Sequence, residues 1–208
     1  MKKINKGVIP VVLVALVSIV LIGLFYYYDF AHLQPTPGKI AEKKPERPQG
    51  AELFTLFGNG AILAGALSFS WYLLKKKLKS PFKIVKIVAK KAFSFHTYIG
   101  WAELALVAVH GGYFLITDFK NTNNLTGAAA FLLLLSLAIY GYVLQRKKKK
   151  SIRSAHFILS ILWIGALLVH GGGFVIACGV GLAGLFILVS IFEKKLKKPN
   201  KMKKPIIS

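Results

Sequence analysis

The sequence predicts an all-α, polytopic membrane protein with six transmembrane helices forming one bundle. Three observations predict it. Hydrophobic residues make up 55% of the 208. They gather in runs of about twenty, the length a helix needs to cross a ~30 Å hydrocarbon core. The 29 lysines and arginines, against 7 acidic residues, lie in blocks beside those runs, as topology determinants do. Four of the five histidines repeat one spacing inside the runs, His96 with His110 and His156 with His170.

The first apolar segment runs from about Val8 to Tyr28 after a basic start, Met1-Lys2-Lys3. It is longer than a signal-peptide core and ends in aromatics rather than a small-residue cleavage site, so a retained anchor is expected. Residues 29–50 are rich in proline, lysine and glutamate and read as a polar loop carrying His32, expected to be solvated. The second segment spans about Leu53–Leu74, the third Phe93–Thr117, the fourth Gly127–Leu144. The fifth, Ala155 to about Gly171, and the sixth, Phe174 to about Phe192, are separated by Gly171-Gly172-Gly173. Together they are too long for one crossing at ~1.5 Å per residue, so the chain is expected to fold back there. The expected units are residues 1–51 (first helix and outer loop), 52–193 (histidine-bearing helices) and 194–208 (basic tail). Cys178 has no second cysteine to pair with and reads as a small buried apolar residue.

Orientation follows from the cations. If both termini are cytoplasmic, the inner segments 1–7, 75–91, 146–153 and 194–204 carry 24 of the 29 lysines and arginines, and the outer loops carry 5. The positive-inside rule selects that topology in a cell membrane. The lysine blocks also suit anionic lipid, with docking of an acidic cytoplasmic partner secondary. Their placement beside apolar runs argues against a nucleic-acid partner.

A 14-residue step turns a helix roughly 1400°, about 40° short of four turns, so both histidines of a pair share one face ~21 Å apart along the axis. Two helices with equal spacing can oppose imidazoles at two levels. Neutral imidazole suits iron, so the pattern predicts four axial ligands for two stacked hemes. The topology makes the third and fifth segments parallel, which pairs His96 with His156 near the inner face and His110 with His170 near the outer. An antiparallel arrangement would pair His96 with His170. A zinc-like site needs shorter spacings. The competing reading is a histidine-based metal or proton transporter without heme.

Glu103 lies seven residues from both His96 and His110, and Trp163 seven from both His156 and His170. Both are expected between the two levels. A buried acid must be neutral or hydrogen-bonded. The Trp163 indole N–H is one candidate partner; a helix backbone or Asn59 is the alternative. Gly100, Gly111, Gly112 and Gly171, close to the histidines, could let a flat macrocycle approach the backbone. Arg153, Lys90 and Lys91 near the inner histidines are candidates to pair with propionates, with Lys120 toward the outer side.

The paired histidines on the third and fifth segments, with a fourth segment opening Leu125-Thr126-Gly127, resemble the ferric reductase-like transmembrane domain. That family includes the membrane domains of NADPH oxidases and the bacterial heme-binding subunit of methionine sulfoxide reductase. The resemblance covers roughly residues 53–192. It implies a di-heme b-type cytochrome with ligand roles at His96, His110, His156 and His170. It further implies electron flow from a cytoplasmic reductant to an extracytoplasmic acceptor, a partner protein or ferric iron. Larger members add a flavin and nicotinamide domain. Here Glu193–Ser208 follow the last apolar run, and Gly58-Asn59-Gly60 and Gly179-Val180-Gly181 lie within apolar spans rather than after a strand. The donor is therefore expected to be a separate flavoprotein or a membrane quinol, and the chain the electron-transfer subunit of an oxidoreductase.

Overall fold

The computed structural model describes residues 9–32, 48–80, 82–118 and 121–197. They form five helices: α1 (Ile9–His32), α2 (Ala51–Leu74), α3 (Lys83–Thr117), α4 (Asn123–Lys147) and α5 (Lys150–Lys197), with a short 3-10 turn at Lys75–Lys79 between α2 and α3. All five are long and apolar enough to cross a membrane. Their outer faces expose Leu13, Ile19, Leu56, Leu67, Ile116 and Leu188. This surface would cost a soluble domain dearly, whereas lipid accommodates it.

Local chemistry sets the helix ends. Gly50, at φ 84°, turns the chain into α2, and the Ala51 N–H donates to Pro48 O. At the other end of α2, Ser80 is extended before Pro81, the conformation that a following proline favours. Asp118, Asn121 and Asn124 tie the α3–α4 turn, with Asn124 Nδ2 donating to Asp118 O at 2.6 Å. Lys148, at φ 41°, closes α4 by donating its N–H to Leu144 O. These caps lengthen the helices beyond the expected apolar runs. α3 begins ten residues before Phe93 and α4 four before Gly127, because lysine and asparagine continue a helix into the interface. α1 reaches His32, whose side chain lies outside the described residues together with the expected loop 33–47, Lys120 and the tail beyond Lys197.

Where six segments were expected, the last two are one element, α5, broken at Gly172. Its φ 53°, ψ −130° falls where only glycine sits without strain. The chain reverses there. Phe157, early in α5, packs on Tyr72 at the lysine-rich end of α2, with ring centroids 5.3 Å apart. Glu193, late in α5, returns to the same end to bond Lys77 and Ser80. Unbroken, the 48 residues of α5 would extend ~72 Å.

α2, α3, α4 and the first half of α5 make a four-helix ring in which the histidine helices α3 and α5 stand diagonally. α1 lies outside against α4 and α5, where Ser18 Oγ donates to Ala129 O. The core joins Leu133, Leu134, Leu159, Trp163 and Ala166 with Val11 of α1.

Candidate functional site: two opposed imidazole pairs

The ring brings the four histidines together in two same-level pairs. His96 and His156 face each other near the lysine-rich end, with ring centroids 6.3 Å apart and planes at 87°. His110 and His170 face each other toward the opposite end, at 6.2 Å and 76°. Because each pair joins the lower-numbered or the higher-numbered histidines, α3 and the first half of α5 run parallel.

Each ring is anchored from behind by the neighbouring helix. His96 Nδ1 meets Ser68 O at 3.0 Å, and His110 Nδ1 meets Phe54 O at 2.7 Å, both on α2. His156 Nδ1 meets Leu137 O at 3.1 Å on α4. A carbonyl only accepts, so Nδ1 carries a proton in these three rings, and Nε2 is the nitrogen left to present a lone pair. His170 Nδ1 meets Thr126 Oγ1 at 2.9 Å. The Thr126 hydroxyl reaches Asn123 O at 2.8 Å, and the His170 ring also bonds that Asn123 carbonyl, so a peptide carbonyl of α2 or α4 backs each of the four rings. All four rings therefore share one tautomer.

The backing helices repeat the histidine spacing. The acceptors Phe54 and Ser68 on α2 are 14 residues apart, as are Asn123 and Leu137 on α4. Four residues after three of them stand glycines: Gly58 after Phe54, Gly127 after Asn123, Gly141 after Leu137. Helical Cβ atoms tilt toward the N-terminus, so a side chain at that position overhangs the carbonyl one turn earlier. A Cβ on Gly58 would lie 2.8 Å from the His110 ring, on Gly127 3.0 Å from His170, and on Gly141 3.2 Å from His156. These glycines are notches that admit the imidazoles.

The glycines beside the histidines in sequence behave differently. A Cβ on Gly100, Gly111 or Gly112 would meet nothing within 4 Å, whereas Gly171 packs against Val175 and Ile62. Gly171 is thus packed against its neighbours, next to the chain reversal at Gly172.

Between the two levels sit Glu103 and Trp163, 3% and 6% exposed. Both press on Gly65, where a Cβ would come within 2.4 Å of Trp163 Cη2 and 2.7 Å of Glu103 Oε1. Glu103 Oε1 has no hydrogen-bond partner, so the expected bond from the Trp163 indole is not made at that atom. The acid faces a glycine and the far edge of the indole. Lys90, Lys91 and Arg153 are exposed on the lysine-rich end, six, five and three residues before His96 and His156.

Two imidazoles bound trans to one ion at metal–nitrogen distances of ~2.0–2.1 Å put ring centroids ~6.3–6.6 Å apart. The observed separations, 6.3 and 6.2 Å, lie at or within 0.1 Å of the short end of this range, so the residues fit a shared metal at each level. Each pair gives only two ligands, and among the described residues no three His, Cys, Asp or Glu gather into one metal site. A metal held by either pair would have to bring its remaining ligands with it.

Comparison with protein-family models, with curated proteins and with solved structures gives no match.

Proposed function

We propose that this protein is a transmembrane di-heme b-type cytochrome of the ferric reductase-like kind. The observation that carries the reading is the pair of opposed imidazoles at each level, 6.2–6.3 Å between centroids, with every Nδ1 engaged from behind. His96 and His156 would hold one heme, His110 and His170 the other. Bound there, heme supplies one-electron redox chemistry. Two histidines per iron leave no open position, which favours relay over catalysis at the metal.

The chain's own residues do the rest. The backing helices hold each ring at a fixed angle and tautomer. Trp163 and Glu103 fill the ~21 Å between levels, and the apolar helices keep water out. In this reading the chain crosses the cell membrane six times, reversing at Gly172, with both termini cytoplasmic. Electrons enter at the lysine-rich face from a cytoplasmic flavoprotein or a quinol and leave to an extracytoplasmic acceptor, a protein or ferric iron. Lys90, Lys91 and Arg153 are available to inner propionates.

Reduced-minus-oxidised spectra with a pyridine hemochrome assay test this directly, with two b hemes per chain expected. Alanine at any one of the four histidines should remove about one heme. Protein from heme-replete cells that carries none would sink the proposal. The alternative, a metal or proton carrier without heme, draws on the unpartnered Glu103, and the same spectra separate the two.

A further inference from the structure

The lysine run that ends α2 does not continue the α-helix. Lys75–Lys79 form a 3-10 turn. With three residues per turn, side chains at i and i+3 eclipse one another. The run therefore sorts into three rows: Lys75 with Leu78, Lys76 with Lys79, and Lys77 with Ser80. The last row turns toward α5, where Lys77 Nζ and Ser80 Oγ both donate to the Glu193 carboxylate. Ser80 also closes the turn, its N–H donating to Lys77 O at 2.9 Å, and its hydroxyl accepts from the Phe82 N–H at 3.3 Å. This clamp fixes where the neighbouring row, Lys76 and Lys79, stands.

A cavity of about 390 Å³ opens beside the clamp, lined by Lys76, Lys77, Lys79, Ser80, Phe186 and Glu193. Its two chemistries are separated. Phe186 is the apolar wall, with Lys77 Nζ 5.3 Å from its ring centroid. Ile187 and Leu188, next in sequence, are exposed along the apolar flank of α5. Lys76 and Lys79 are exposed at the rim. Lys77 already matches the charge of Glu193, so the rim lysines leave the cavity net positive. At ~2.0 Å rise per residue they sit ~6 Å apart along the turn. One phosphate group spans that distance by taking a charge-assisted hydrogen bond from each ammonium.

We propose that this cavity binds the headgroup of an anionic phospholipid, its phosphate on Lys76 and Lys79 and its hydrocarbon along Phe186 and α5. A free phosphate would use the lysines and leave the apolar wall unmatched. A lipid held there ties the end of α2 to the returning half of α5. The inference rests on the membrane placement proposed above and not on heme.

The test titrates lipid into the purified full-length protein in an uncharged detergent, read by native mass spectrometry and by thermal unfolding. Phosphatidylglycerol, phosphatidylcholine and inorganic phosphate are the probes. Phosphatidylglycerol is expected to bind and raise the melting temperature, phosphatidylcholine to bind more weakly, and phosphate alone to leave the melt unmoved. Lys76→Gln with Lys79→Gln should weaken phosphatidylglycerol binding roughly tenfold, given what each lysine contributes near an anionic headgroup. Lys75→Gln with Lys147→Gln removes the same charge from residues outside the cavity lining and should stay near the parent affinity. If the first pair fails to fold, the single variants Lys76→Gln and Lys79→Gln are held to the same ordering against Lys75→Gln. Equal losses in the two pairs would mean diffuse surface charge, equal binding of phosphatidylcholine no selection for an anionic headgroup, and equal stabilisation by phosphate a free-anion site. Each of these overturns the proposal, as does an absence of phosphatidylglycerol binding. A detergent-solubilised protein that shows any of them sinks this site alone. A chain that fractionates as a soluble protein without detergent sinks the membrane placement as well.

Discussion

A histidine offers a metal one nitrogen reliably only when its other nitrogen is engaged. Here the engagement depends on missing side chains as much as on present ones. Gly58 and Gly141 each leave a carbonyl bare for one imidazole, so their substitution should act on one level only. On the di-heme reading proposed above, Gly58→Ala is expected to lower outer-heme occupancy, because its Cβ would sit 2.8 Å from the His110 ring. Gly141→Ala should disturb the inner heme, more mildly at 3.2 Å. Gly23→Ala, with nothing within 4 Å, is the matched control. Heme per chain and the two midpoints, read for each variant, decide this; equal effects at both levels would contradict the notch assignment. Glu103 poses a different question. An ionised carboxylate without a partner at this depth costs several kcal/mol, while the neutral acid has nearly the shape of glutamine. Glu103→Gln should therefore change the temperature of heme release little, within the equivalent of ~1 kcal/mol, and Glu103→Lys should lower it strongly. A glutamine variant that loses heme on mild warming would indicate an ion pair instead.

At the scale of the element, one residue divides α5. Gly172 at φ 53°, ψ −130° adopts a backbone that costs an L-residue about 1–3 kcal/mol. Gly172→Ala should destabilise by that amount, seen as earlier thermal loss of secondary structure and of heme, while Gly173→Ala, with open space around it, should not. The returning half of α5 is tied down by Glu193, which bonds Lys77 and Ser80 beneath Phe186. Glu193 is buried and Lys77 partly so, and removing one partner of such a pair costs more than removing both. Lys77→Met should accordingly weaken the bundle more than Lys77→Met combined with Glu193→Met, and a thermal melt of the two proteins checks the order. The reversal was legible as a run of three glycines, since no helix of that length fits a bilayer. Which glycine turns was not, because all three lack a Cβ and only the backbone angles at Gly172 and the packing of Ile62 and Val175 around Gly171 separate their roles.

For the whole molecule, the asymmetric charge is the main lever. The lysine-rich end gathers where α2, α3, α4 and α5 begin or end, and the reading proposed above puts that end in the cytoplasm by the positive-inside rule. Tags at both termini should be reachable by protease or antibody only after the membrane is permeabilised from outside; a tag accessible in intact cells would reverse the electron path proposed above. The ring order also explains why diagonal helices carry the histidines. Adjacent helices are close enough to bond ring to carbonyl, whereas only diagonal ones leave room for a shared metal between rings.

What the sequence determined by itself was that long apolar helices dominate the chain, where along it they fall, and the two equal histidine spacings. Each follows from one-dimensional physics: a run length against a bilayer thickness, a residue count against a helical period. The matching 14-residue step from Gly127 to Gly141 was equally visible, but nothing marked it as a partner of the histidines. The tertiary structure alone decided which helix backs which imidazole, that Thr126 Oγ1 stands beside His170 Nδ1, and that Glu103 Oε1 faces Gly65 without a hydrogen bond. Those facts depend on the rotation of each helix about its axis, which is set by side-chain packing between helices and leaves no period in the chain.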